Sequence, residues 1–205
     1  MFLEETSDMC LYEKYFLFIK HNILPIWRII EWGNGVLFSF LYGRKFEKTI
    51  KEVFSDNLAY NLIYRKLELS DAESLFNLIK RQDKRDLVFF HPHEFDLRSI
   101  RKQFQNKAFL MMGVFDEGGM VGYFFLRFFT NKKCFVGRLI DRSHRGLGIG
   151  QIMNHIMYEI GWRMNFRCFS TISRNNTAVI RAHAKNPNIK ILKELSNNYL
   201  LVEFI

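Results

Sequence analysis

Two regimes of apolar patterning divide the chain near residue 60. Residues 23–42 are mostly apolar, and on a helical wheel Arg28, Glu31, Gly35, Ser39 and Tyr42 share one narrow stripe while Ile26, Ile30, Leu37, Phe38 and Leu41 lie elsewhere. A helix of that kind must bury most of its circumference. Gly33-Asn34-Gly35 predicts a break in it. Together with Pro25, Arg28 and Glu31, the break makes the stretch a poor membrane span, which needs about 20 largely apolar residues. From Asn61 onward the runs shorten. Residues 61–69 alternate like a strand, Ser70-Asp71-Ala72-Glu73 supplies an N-cap and a first-turn acid for a helix to about Arg81, and a second helix fits 96–105. Residues 108–115 and 120–129, joined by Asp116-Glu117-Gly118-Gly119, read as an antiparallel hairpin, and 134–141 as a third strand. It ends in the glycine-rich turn Arg145-Gly146-Leu147-Gly148-Ile149-Gly150, followed by a helix over 151–164. A strand over 167–172, a helix over 176–185 and strands over 189–195 and 199–204 complete the order.

Composition sharpens this picture. Of 205 residues 48% are hydrophobic, 22 are Phe and only 3 are Pro, so apolar surface is ample and a collagenous, low-complexity or disordered chain is excluded. The net charge of +9 is unevenly placed: residues 1–60 carry 7 basic and 8 acidic side chains, residues 61–205 carry 23 and 13. The pattern suggests a charge-balanced, apolar helical extension over 1–60 and a basic domain over 61–205. A basic domain suits a polyanion, whether nucleic acid, a phosphorylated cofactor or a nucleotide-linked substrate. Its aromatics alternate as strand-core residues and no nucleic-acid signature is present, so no nucleic-acid partner is expected. Cys10, Cys134 and Cys168 are far apart in sequence and lack metal-ligand spacing, which points to a reducing compartment with neither a disulfide framework nor a metal site. The N-terminus has no basic n-region, and Glu13, Lys14 and Lys20 interrupt its first apolar stretch, so a cytoplasmic location is expected. Trp27, Trp32 and Tyr42, followed by Arg44, Lys45, Lys48 and Lys51, would suit peripheral contact with the inner membrane face. Packing against the rest of the chain, or a homodimer through residues 1–60, would use the same surface.

A strand that delivers a glycine-rich turn into a helix N-terminus builds an anion site from main-chain N–H groups. A Walker loop would need Gly-Lys-Ser or Gly-Lys-Thr, but Gln151 follows the last glycine. A dinucleotide fingerprint would open a parallel βαβ unit with an acid about 20 residues on, and neither is present. What remains is Arg-x-x-Gly-x-Gly after the third strand of an antiparallel run.

Here the sequence resembles the GNAT superfamily of N-acetyltransferases. Arg145-Gly146-Leu147-Gly148-Ile149-Gly150-Gln151 matches that superfamily's pyrophosphate loop for acyl-coenzyme A. The helix from Asn176 to Lys185 is similar to its Asn-x-x-Ala helix ending in Tyr-x-Lys, although Asn186-Pro187-Asn188 departs from the usual exit and His183 stands at the tyrosine position. The resemblance covers most of residues 61–205. It implies an α/β (α+β) fold, a mixed and largely antiparallel sheet flanked by helices, with acetyl-CoA (coenzyme A) as cofactor. It places Leu139, Ile140 and Asp141 at the pantetheine arm, residues 145–151 at the pyrophosphate and Asn176 among the cofactor-binding residues. No metal is implied.

Acyl transfer also needs a base for the acceptor and an acid for the leaving thiolate. His183 fits the acid, since imidazole exchanges protons near neutral pH. Phe89-Phe90-His91-Pro92-His93-Glu94-Phe95-Asp96 concentrates two histidines and two acids where the superfamily binds its acceptor. His91 and His93 are candidate bases, Asp141 is the runner-up, and Glu94, Arg127 and Arg138 are candidates for holding the substrate. Equally, Pro92 makes a turn, Glu94 or Asp96 caps a helix and the histidines pack. The His-Pro-His segment with Leu126-Arg127 also looks like acyltransferases that modify amino sugars in bacterial surface-polysaccharide assembly. That implies a small-molecule acceptor, a nucleotide or lipid-linked sugar, acylated on nitrogen. O-acetylation of a sugar hydroxyl, or a non-catalytic module binding an acidic partner, are the alternatives.

Overall fold

A computed structural model describes residues 24–56, 62–183 and 188–205, with the backbone alone for 24–28, Ala178, Ala182 and His183. Seven strands form one sheet: β1 (Ile63–Lys66), β2 (Phe109–Asp116), β3 (Gly119–Phe129), β4 (Lys133–Ile140), β5 (Arg167–Ser173), β6 (Ile189–Leu195) and β7 (Tyr199–Phe204). Their spatial order is β1-β2-β3-β4-β5-β7-β6. Every pairing is antiparallel except β4 with β5. The helices are α1 (Leu24–Asp56), α2 (Ala72–Lys80), α3 (Lys84–Leu87), α4 (Leu97–Gln103), α5 (Ile149–Arg163) and α6 (Thr177–His183). The short α3, capped by Asp83, is the element the hydrophobic pattern does not anticipate.

Each face of the sheet carries its own core. Phe38, Phe46, Ile50 and Val53 of α1 and Met153, Ile156, Met157 and Ile160 of α5 pack with Met112, Phe124, Leu126 and Phe128 on one side. On the other, Leu75, Leu78 and Ile79 of α2 and Ile100 of α4 close over Phe109, Met111, Tyr123 and Phe125. The α1 helix therefore shares the core of the sheet. It runs 33 residues without the break expected at Gly33-Asn34-Gly35. Gly35 lets the helix press against the loop before β2, where an added Cβ would lie 3.2 Å from the Asn106 carboxamide oxygen. Asn34 donates to the Phe128 carbonyl and accepts from the Thr130 N–H, tying the helix to the end of β3. The opposite face of α1 leaves Ile29, Trp32, Val36 and Phe40 in solvent. Among the described residues no helix is long and apolar enough to cross a membrane.

Candidate active site

The parallel pair β4–β5 is registered over only three positions, Lys133 with Arg167 through Phe135 with Phe169. Both strands continue, to Ile140 and Ser173, so they part and leave a wedge open in the sheet. Strand alternation fixes which backbone groups line it. The Asp141 N–H donates to the Val121 carbonyl, so odd-numbered residues of β4 bond β3, and the N–H and C=O of Arg138 and Ile140 turn into the wedge. On β5 the Arg167 N–H donates to Lys132 and the Arg174 N–H to Asn198, so Thr171 and Ser173 face the wedge from the other side. Of the residues expected at a pantetheine arm, Ile140 therefore offers main chain to the wedge. Leu139 spends its main chain on β3 and buries its side chain among the α2 face.

At the open end sits the glycine turn. Gly146 and Gly148 adopt φ of +80° and +81°, which side-chain-bearing residues take only with strain. The amides of Gly146, Leu147, Gly148, Ile149 and Gly150 meet no protein acceptor among the described residues. Five consecutive free donors at the start of a four-turn helix are the groups an anion would need there. Ile149 buries its side chain in the core, Leu147 and Gln151 stand in solvent, and so these three meet a ligand chiefly through main chain or surface. The Arg145 guanidinium is engaged elsewhere, on the Ile140 carbonyl and on Asp86 at 2.9 Å. On the β5 side the Asn176 carboxamide oxygen accepts from the Val179 N–H and caps α6. His183 closes that helix, and its side chain lies outside the described residues.

The segment after α2 borders the wedge from the other face, and three ion pairs fasten it to the β4–α5 loop: Arg81 with Asp141, Asp83 with Arg142 and Asp86 with Arg145. Asp141 accordingly departs from the expected base. Partial burial pushes its carboxyl up, but the Arg81 guanidinium and the Ser143 hydroxyl and amide outweigh that and bring it down to about 2, leaving a weak proton acceptor that caps the following turn.

His93 also departs from the expected base. Its Nδ1–H donates to the Glu94 carbonyl at 2.7 Å and its Nε2 accepts from the Tyr123 hydroxyl at 3.1 Å. Burial pulls the His93 pKa down, so it stays neutral with both nitrogens used. Burial also pushes the Tyr123 phenol well up, so that it keeps its proton to donate. His91 is exposed, stacks on Phe95 and makes no hydrogen bond among the described residues. Glu94 is exposed beside it. Phe90 places this rim against β4, since a Cβ on Gly137 would lie 3.5 Å from its ring.

The two arginines expected to hold substrate have other partners. Arg127 donates to the Pro92 carbonyl at 2.7 Å, pairs with Glu31 and lies over the Phe109 ring, which pins the His-Pro-His segment to the sheet. Arg138 points to the α5 face and bonds Asn154. Sequence reading missed this division because both lie on neighbouring strands, and only the register sends them to opposite faces. Among the described residues no group of His, Cys, Asp or Glu could hold a metal ion.

No protein-family model and no curated protein matches the sequence. Solved structures do share the fold. The PaiA N-acetyltransferase from Thermoplasma acidophilum, in complex with coenzyme A, is 16% identical with a TM-score of 0.60, covering 71% of this chain and 99% of that one. The GNAT domain of S. lividans PAT is 12% identical with a TM-score of 0.60, covering 69% and 88%. Spermidine N-acetyltransferase from Vibrio cholerae, in complex with CoA and spermine, is 16% identical with a TM-score of 0.54, covering 70% and 92%. At these identities the likeness is one of fold: a mixed, largely antiparallel sheet flanked by helices.

Proposed function

We propose that this chain, which has the fold of the GNAT acetyltransferases, is an acyl-CoA-dependent N-acyltransferase with acetyl-CoA as donor. The observation that carries the reading is the run of five free amides, Gly146 to Gly150, at the open end of the β4–β5 wedge. They fit a pyrophosphate, and the unpaired backbone of Arg138 and Thr171, with the free N–H of Ile140, whose carbonyl already accepts from Arg145, fits the two amides of a pantetheine arm. The bound thioester supplies an activated acyl carbon. In this reading the N–H groups of Arg138 and Ile140 donate to the oxyanion that develops on it. His91, exposed on the rim, takes the proton of the attacking amine, and His183 returns one to the leaving thiolate. The acceptor is a small amine, and the aromatic and acidic rim of Phe90, His91, Glu94 and Phe95 suits an amino sugar or nucleotide sugar. Its aromatic faces can stack on a ring and its carboxylate can hold an ammonium. A cytoplasmic site of action accords with a coenzyme A donor.

Calorimetry with coenzyme A and acetyl-CoA tests the reading. Wild-type protein is expected to bind both, and Gly148→Glu to bind neither, because it puts a carboxylate and a strained φ into the anion receptor. Absence of binding by the wild-type protein overturns the enzyme reading and favours a binding module.

A further inference from the structure

Arg138 is a cation in an unusual place. It is largely buried between β4 and the first turns of α5, and burial pulls its pKa down. Among the described residues no carboxylate contacts it, and its one hydrogen bond runs to the neutral Asn154 side chain. Its Nε edge faces the glycine turn: a Cβ on Gly150 would lie 3.1 Å from it. One helical turn beyond Asn154 the Tyr158 hydroxyl is buried without a hydrogen-bond partner among the described residues. Residues four apart share a helix face, and Tyr158 lies near enough to Arg138 for the two to couple electrostatically. Burial pushes the Tyr158 phenol up, so it remains a donor. A buried guanidinium lacking an acid and a buried hydroxyl lacking an acceptor are both costly in isolation, and one anionic oxygen group would satisfy both.

We infer that Arg138, with the Tyr158 hydroxyl one helical turn beyond its Asn154 partner, receives an anionic oxygen group of the bound acyl donor, either the coenzyme's pyrophosphate or a carboxylate at the far end of the acyl chain. The inference rests on the acyl-CoA reading. It moves Arg138 from the acceptor side of the site to the donor side, and it explains Gly150, whose missing side chain leaves room for the guanidinium.

Binding of coenzyme A, S-acetylpantetheine and succinyl-CoA to wild-type protein, Arg138→Met and Tyr158→Phe decides the matter. If the pyrophosphate is received, Arg138→Met weakens coenzyme A about 10- to 100-fold, as expected for a lost charge-assisted contact, and leaves S-acetylpantetheine unchanged. If an acyl carboxylate is received, coenzyme A is unchanged and only succinyl-CoA weakens by that factor. In either case Tyr158→Phe weakens the same probe about tenfold, the scale of a hydrogen bond to a charged acceptor. Thermal unfolding separates binding from structure: Met fills the space and removes a desolvated charge, so the midpoint is expected to hold or rise. Unchanged affinity for all three probes in Arg138→Met overturns the inference, as does a lower unfolding midpoint with no selective loss of binding. Wild-type protein that binds none of them overturns the coenzyme reading and this one with it.

Discussion

Replacing Asp141 with Asn keeps the size of the side chain and an acceptor for Ser143, and removes the charge that pairs with Arg81. In the fold this carboxyl titrates at about 2 against 3.8 for a free aspartate, a difference worth about 2 kcal/mol at neutral pH by linkage. Because the Arg81 side chain is 47% exposed, solvent screening brings the expected loss to ~1 kcal/mol. The sign follows from the depressed value. The stabilisation is fully present above the unfolded value near 4 and disappears as pH falls toward 2, so urea midpoints of wild type and Asp141→Asn differ by a constant amount from pH 5 to 8 and converge below pH 4. In a thiol-release assay at neutral pH the variant is expected to keep turnover within about fivefold, since so weak a base contributes little to proton removal from an amine. A hundredfold loss of turnover with an unchanged urea midpoint would refute the reasoning and make Asp141 the base.

Gly161→Ala and Arg127→Met probe the two faces of the sheet. An alanine Cβ at 161 would collide with the Cys168 sulfur and crowd that of Cys134. The gain in helix propensity of about 1 kcal/mol is set against overpacking of about 1–3 kcal/mol, so a net loss on urea unfolding is expected, with recovery when Cys168→Ala is added. A more stable single variant would contradict the packing. Arg127→Met releases the Pro92 carbonyl and Glu31, and is expected to cost about 1–2 kcal/mol. It should raise the KM for the amine several-fold while the affinity for coenzyme A holds; a matching loss in coenzyme affinity would show that the segment it pins does not belong to the acceptor side.

Much of the framework was legible in the sequence because its cues are local. The last two strands begin and end where alternation predicts, at 189–195 and 199–204, and Gly146 and Gly148 announce a turn through conformations that few other residues adopt. What escaped depends on partners far along the chain. Gly33-Asn34-Gly35 reads as a helix breaker until Asn34 is seen bonding to Phe128, 94 residues away. Asp141 at a strand end reads as a base until Arg81, 60 residues earlier, is found on it. The His93 ring reads as reactive until Tyr123, on the third strand, occupies its free nitrogen.

The parting of β4 from β5 also bears on stability. A sheet that stops pairing midway keeps main-chain donors and acceptors waiting inside a folded molecule, so a ligand with amides of its own enters as a missing length of strand and finishes the ladder. Its binding free energy then adds to that of folding. On the proposed function, the coenzyme would supply Arg138 and Thr171 with the main-chain partners that the parting of the strands withholds, and the complex would be more stable than the empty chain.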